Sequence, residues 1–250
     1  MSTAERVTRD ISDNFVFQRS RLAYVEAAKH ISGRVLEIGT GVGYGIEHLA
    51  PVVDELVTID KFRSACVAAL PENVRFEEFV VPPLPYDDES FDCVVSFQVI
   101  EHISADKALV DEIYRVLRKG GRFIVTTPNR SMSLTRNPWH VREYYPEELH
   151  NLLSHFSSID CRGVVGNERV MAYYEKNRES VRRITRFDIF KMQWWLPRWL
   201  LRIPYDILNR RNRKALYSQN RDLTEAITME DYSIQPLKDD CFDLFYIAQK

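Results

Sequence analysis

The sequence predicts a doubly wound α/β fold with a mostly parallel sheet, on three observations. Short β-branched runs alternate with amphipathic helical stretches from Arg34 to Val165. The first run ends in a glycine-rich turn, and the second ends in the acidic Asp60 about 20 residues later. The chain has 250 residues, 45% of them hydrophobic, enough to bury one large core or a core that carries a long insertion.

The elements follow in order. Phe15 to Ile31 places Phe17, Leu22, Val25 and Ala28 at helical spacing before Gly33, which reads as a helix with a glycine stop. Seven strand-like runs come next: 34–39, 55–60, 73–81, 91–97, 121–127, 159–165 and 243–248. Helical spacing resumes at Tyr44 to Leu49 and again at Pro146 to Phe156. The clearest amphipathic helix is Leu109 to Leu117, with Val110, Ile113, Val116 and Leu117 on one side and Lys119-Gly120-Gly121 as its stop. The expected organisation is a helical segment over 1–32, an α/β core over 33–166, an inserted cap over 167–240 and a last core strand over 241–250. The insert is too long for a simple connection. Tyr173, Tyr174, Phe187, Phe190, Trp194, Trp195, Trp199 and Tyr205 make it too aromatic for a solvated linker, so it is expected to be helical and packed.

Composition narrows the partners. The formal net charge is −2, yet 176–214 holds 12 Lys+Arg against 3 Asp+Glu, leaving −11 for the rest. A basic segment on an acidic body suggests a localised anionic contact, not the broad basic face of a nucleic-acid binder; a solvated helical face is the alternative. Cys66, Cys93, Cys161 and Cys241 form no C-x-x-C pair and read as buried, reduced thiols. The polar N-terminus and the lack of an apolar run of spanning length point to a cytoplasmic protein.

The chemical signal is Val35-Leu-Glu-Ile-Gly39-Thr-Gly41-Val-Gly43-Tyr44, where a strand turns into a helix. Glycines there allow positive φ and close approach to a ligand, and the following helix presents its amides. An acid at the end of the second strand can accept hydrogen bonds from both hydroxyls of an adenosine ribose.

These residues, with 84–92 (Leu-Pro-Tyr-Asp-Asp-Glu-Ser-Phe-Asp), Val99-Ile100-Glu101-His102 and Leu117-Arg-Lys-Gly-Gly121, resemble the class I methyltransferases that use S-adenosylmethionine, over residues 34 to 128. Within that class the chain resembles the small-molecule enzymes of the ubiquinone and sugar group. The resemblance implies a Rossmann-like methyltransferase sheet and S-adenosylmethionine as cofactor. It places Glu37, Gly39, Thr40, Gly41 and Gly43 at the methionine end, Asp60 at the ribose, and Gln98 and Val99 beside the cofactor, while Tyr44 and Lys61 either shape the pocket or have a surface or packing role. Val80 stands where many relatives carry an Asp for adenine, with Glu78 nearby as a substitute. A nicotinamide dehydrogenase is disfavoured, because Tyr44 breaks G-x-G-x-x-G.

Two histidines are candidate general bases for a hydroxyl acceptor. His102 follows the fourth strand, and a loop-fixing role competes with catalysis there. His140 lies in the polar-aromatic loop after the fifth strand, where Asn129, Arg142 and Tyr144 are candidate acceptor ligands, against a purely loop-stabilising role. No metal is expected, because Gln98 replaces the further carboxylate of ubiquinone-type relatives. Base methylation of nucleic acid is disfavoured, because Phe97-Gln-Val-Ile100 follows the fourth strand where that class carries Asn/Asp-Pro-Pro-aromatic. The expected reaction is methylation of a hydroxyl, or an amine, on a small polar metabolite such as a phosphate-bearing or lipid-linked sugar. The alternatives are a quinone or lipid O-methyltransferase at a membrane surface and a non-catalytic cofactor-binding module. The basic aromatic stretch 191–211, with Pro197 and Pro204 breaking it into short pieces, is open to three readings: a lid, a peripheral membrane contact or a homodimer interface.

Overall fold

The structure, a computed structural model, describes residues 10–63, 68–186 and 192–250. Cys66, Phe187, Phe190 and Lys191 lie outside the described residues. The sheet is built outward from β1 (Arg34–Ile38), which pairs in parallel with β2 (Glu55–Asp60) on one side and β4 (Phe91–Phe97) on the other. Parallel β3 (Val74–Glu78) extends the first side and parallel β5 (Leu117–Pro128) the second. Beyond β5 the pairing turns antiparallel through β8 (Asp243–Gln249), β6 (Ser158–Gly166) and β7 (Tyr232–Pro236). The order is β3-β2-β1-β4-β5-β8-β6-β7. Successive strands are therefore added to one side of β1 up to β3 and to its other side from β4 on, so the strand order reverses at the β1/β4 crevice, the place where open α/β sheets bind ligands at their carboxyl ends.

Alternation along the strands sorts the core into two layers. Val35, Leu56 and Val95 face α1 (Asn14–Ala27) through Tyr24 and Ala27, and α2 (Ile46–Leu49) through Leu49. Leu36, Ile38, Val57, Ile59 and Val94 face the other way, against Leu109, Val110, Ile113 and Val116 of α3 (Asp106–Val116) and Leu149 of α4 (Pro146–Leu152).

The sheet has eight strands, one more than the seven expected. The extra strand, β7, is five residues of Tyr-Ser-Ile-Gln-Pro on the sheet edge, too short and too polar on one face to stand out from a helical insert. Lys119-Gly120-Gly121 does not terminate a helix either. Leu117 already begins β5, and the glycines sit where the pairing with β4 shifts register between Phe91 and Cys93.

The insert itself contains α5 (Glu168–Thr185), α6 (Met192–Trp195), α7 (Arg198–Gln219) and α8 (Arg221–Ala226). Asn167 starts α5 by accepting from the amides of Arg169 and Val170 at 3.0 and 3.2 Å. Pro197 precedes α7, but Pro204 lies inside it and does not break it. An interior proline forfeits one backbone bond, and the helix continues on both sides. α5, α7 and α8 pack against α1 and the turn that precedes it. Phe15 stacks on Tyr173 at 4.7 Å, Asn14 donates to the carbonyls of Thr224 and Ile227, and Arg213 pairs with Asp13 at 2.6 Å. No helix among the described residues is long and apolar enough to cross a membrane.

Candidate active site

The turn after β1 is held open by its backbone. Gly39 and Gly41 adopt φ of +98° and +57°, and the amides of Gly39 and Thr40 donate to the carbonyl of Ile59 at 2.8 and 3.1 Å. A Cβ at Gly39 would lie 2.3 Å from Val99 Cγ2, whereas one at Gly41 would meet nothing within 4 Å. The loop is thus closed on the β4 side and open above Gly41. Asp60 joins the two strand ends by accepting from the Gly41 amide at 2.9 Å and the Phe62 amide at 3.0 Å. Beyond it lie exposed Lys61 and, after β3, Val80, which is 68% exposed. Gln98 closes β4 with φ +56°, its amide donating to the Thr126 carbonyl at 2.9 Å.

Beneath the turn, buried Glu37 accepts from the hydroxyls of Tyr24 at 2.9 Å and Thr58 at 2.5 Å, and Thr58 also bonds Thr40 at 2.6 Å. Glu37 therefore fixes the floor of the loop. Tyr44 packs edge-on to Phe17 and Tyr24, each at 5.4 Å. Burial pushes the Glu37 carboxyl up to about 7, against hydrogen bonds from Thr58 and Tyr24 that favour its charged form; the charge of Asp60 adds to the rise. A carboxyl raised in the native state stabilises it fully below the unfolded pKa near 4.5, and that stabilisation is lost as pH rises through about 7. Denaturant unfolding of wild type and Glu37→Gln should therefore diverge between pH 5 and 8, with the variant gaining about 3 kcal/mol relative to wild type at most. Parallel pH profiles would disprove the shift.

The second half of the site is the loop after β5. His102 Nδ1 meets the Trp139 carbonyl at 3.0 Å, which assigns the proton to Nδ1 and the lone pair to Nε2. His140 stands edge-on to His102 at 4.9 Å, with Nδ1 2.8 Å from Glu143 Oε1 and Nε2 2.9 Å from Asn137 Nδ2. The Asn137 amide is oriented by the Trp139 N–H, which donates to its Oδ1 at 3.0 Å. Its nitrogen therefore donates to His140 Nε2, and the His140 proton sits on Nδ1, donated to Glu143. Burial pushes the Glu143 carboxyl up, but hydrogen bonds from His140 and Ser133 outweigh it and hold Glu143 below the usual carboxylate range. Arg130 pairs with the same carboxylate at 3.0 Å. Ligand atoms of Glu101, His102 and His140 lie within 4.8 Å of one another and could hold a metal ion. Burial raises the Glu101 carboxyl, partly offset by the two histidines, and Thr127 donates to it at 3.0 Å.

The remaining loop candidates are each held by other contacts, and Asn129 also lines the cavity beside His140. Tyr144 is fully buried and donates to Asp106 Oδ2 at 2.8 Å, so it anchors the loop and presents no surface to an acceptor. Arg142 pairs with the same carboxylate at 3.0 Å and lies over the Tyr144 ring. Asn129 donates to the Cys241 carbonyl at 2.9 Å and accepts from the Ser131 amide at 3.1 Å, bridging β5 to the start of β8.

A cavity of about 560 Å³ opens beside His140 and Glu143, between the core and α5 and α7. Phe15, Met132, Leu134, Tyr174, Val181, Leu201 and Phe242 line it, with Arg19 as a charged group in its wall. Arg19 pairs with buried Asp243 at 2.8 Å. Glu143 and Arg19 were not singled out from sequence; the spacing His140-x-x-Glu143 was the one available signal for the first, and nothing local marked the second.

A methyltransferase-domain family model matches residues 11–216. A probable S-adenosylmethionine-dependent methyltransferase of Mycolicibacterium smegmatis is 38% identical over 173 residues, covering 65% of this chain and 67% of that protein. A ubiquinone biosynthesis O-methyltransferase of Xylella fastidiosa is 28% identical over 121 residues, 45% of this chain and 49% of that one. In three dimensions the chain is similar to the YcgJ protein of Bacillus subtilis, with a TM-score of 0.55 at 18% identity, over 92% of this chain and 98% of the other. The chain belongs to the methyltransferase-domain family, as an S-adenosylmethionine-dependent enzyme on a Rossmann-like sheet. The open space above Gly41 and the Asp60 carboxylate at the end of β2 fit that cofactor.

Proposed function

We propose that this enzyme methylates a hydroxyl on an amphiphilic small molecule, with the reacting end at His140 and the apolar remainder in the cavity under α7. Bound S-adenosylmethionine supplies an electrophilic methyl on a sulfonium. Glu37, Asp60 and the Gly39–Gly41 turn hold that cofactor on the β1/β4 side, and Gln98 and Val99 form the wall towards β4. His140 Nε2 takes the acceptor's proton, in place of the bond from Asn137, while Glu143 keeps the imidazole in the required tautomer and orientation. Arg142, Tyr144 and Asn129 hold the loop in place. The reading needs no metal at Glu101, His102 and His140.

The observation that carries the acceptor class is the mainly apolar lining of the cavity, which suits a hydrocarbon or prenyl chain better than a free sugar phosphate. The 28% identical ubiquinone O-methyltransferase supports a phenolic or quinol acceptor. Production of S-adenosylhomocysteine should be followed with a panel of quinols of increasing side-chain length, nucleotide sugars and primary amines. kcat/KM is expected to rise about tenfold or more for each few methylenes that enter the cavity. Turnover of nucleotide sugars with no response to chain length would overturn the amphiphile, and tight cofactor binding with no turnover on any acceptor would favour a binding module.

A further inference from the structure

One face of α7 has the character of a buried surface and is exposed. Trp199, Ile203 and Ile207 recur at four-residue spacing, on one side of the helix, with exposures of 68, 72 and 49%. On a soluble surface, large apolar side chains occur singly; a contiguous stripe marks a contact. The same side continues, one turn on, into the exposed cations Arg210, Arg211 and Lys214, with exposed Arg202 on its flank. The sole acidic side chain of α7, Asp206, borders the stripe three residues after Ile203, and its carboxylate accepts from Trp139 Nε1 at 2.9 Å. An apolar stripe bordered by arginines and a lysine, whose one neighbouring carboxylate is engaged by Trp139, is complementary to one kind of surface: hydrocarbon beneath a layer of anionic headgroups. Tryptophan suits the boundary between the two, and the long basic side chains reach the phosphates while their methylenes stay in the apolar layer.

We infer that the exposed face of α7 docks the enzyme on an anionic lipid bilayer. α7 and the short α6 before it are joined to the catalytic loop by side-chain contacts. Arg136 donates to the carbonyls of Gln193 and Trp194 at 3.0 Å, Arg198 donates to the Val141 carbonyl, and the Arg202 guanidinium lies 4.5 Å from the Trp139 ring centroid. Leu200 and Leu208, at the border of the stripe, are 44% and 45% exposed and also line the cavity. A lipid acceptor would therefore pass from the bilayer, beside α7, to His140. That consequence rests on the cavity being the acceptor site; the docking itself does not.

The test is co-sedimentation of the full chain with vesicles of phosphatidylcholine alone and of phosphatidylcholine with about one third phosphatidylglycerol. Wild type is expected to bind the anionic vesicles at least about tenfold more tightly, with the difference shrinking at high salt. The triple variant Trp199→Ser, Ile203→Ser, Ile207→Ser should lose about tenfold or more of that binding, and Arg211→Glu with Lys214→Glu should lose the preference for anionic lipid. Calorimetric affinity for S-adenosylmethionine, unchanged in both variants, shows that the fold is intact. It also separates a failure of docking from a failure of the methyl-transfer reading. Equal binding to both vesicles, no binding by wild type, or full binding by the triple variant overturns the inference. So does light scattering that shows a stable dimer which the triple variant dissociates, because the stripe would then be covered by a second copy of the chain.

Discussion

Replacing His140 with Gln should lower kcat by about 100- to 10,000-fold and leave affinity for S-adenosylmethionine within about twofold. The hydrogen bonds define why this histidine, among those near the site, is placed for proton transfer. With Nδ1–H committed to Glu143 at 2.8 Å, the lone pair is on Nε2, and the Asn137 amide that donates to it is a neutral donor an acceptor hydroxyl can replace. His140 and Glu143 both line the cavity, so an acceptor there reaches the imidazole directly. Glu143→Gln keeps the shape but removes the charge that steadies the imidazolium, and should cost about 10- to 100-fold in kcat. The acid limb of the kcat/KM profile should flatten in His140→Gln, because that limb reports the base. Full activity in His140→Gln with loss in His102→Gln would transfer the role to His102, whose lone pair is placed on Nε2 by the bond from Nδ1 to the Trp139 carbonyl. Full activity in both would indicate an acceptor that needs no base, such as an amine.

The core was legible because its signals are local. The β-branched runs at 34–39, 55–60 and 91–97 became β1, β2 and β4 with their glycine turn and Asp60 side by side, and Leu109, Val110, Ile113 and Val116 form the buried face of α3. What failed depended on distant partners. β7 is a strand only because β6 offers it an edge, and the cavity exists only because α5 and α7, from the insert, stand over Phe15 and Phe242. The loop after β5 was recognisable as polar and aromatic, but its division of labour was not. Tyr144 is a wholly buried anchor because Asp106, 38 residues earlier, accepts its hydroxyl, whereas Glu143 next to it faces the cavity with His140. Adjacent residues with similar polarity thus differ in role by the direction of one side chain.

Gly39→Ala should abolish measurable cofactor binding, a loss of at least about 100-fold, while Gly41→Ala keeps the fold and loses less. Two costs meet at Gly39. Its φ of +98° lies where a residue with a Cβ is strained by about 1–3 kcal/mol. The added methyl would also lie 2.3 Å from Val99 Cγ2, forcing apart the β1 turn and the end of β4, which together frame the cofactor crevice. At Gly41 the φ of +57° costs about 1–2 kcal/mol, and no protein atom obstructs the methyl. Any larger loss of affinity there must come from the methyl occupying space that the cofactor needs. A double-mutant cycle separates the terms. If the contact with Val99 dominates, Val99→Ala in the Gly39→Ala background should restore affinity by about tenfold or more. If the backbone conformation dominates, Val99→Ala restores nothing, and thermal stability should fall equally in both variants. Wild-type affinity in Gly39→Ala alone would mean that the cofactor does not lie in the crevice between β1 and β4, and the assignment of the site would fall with it.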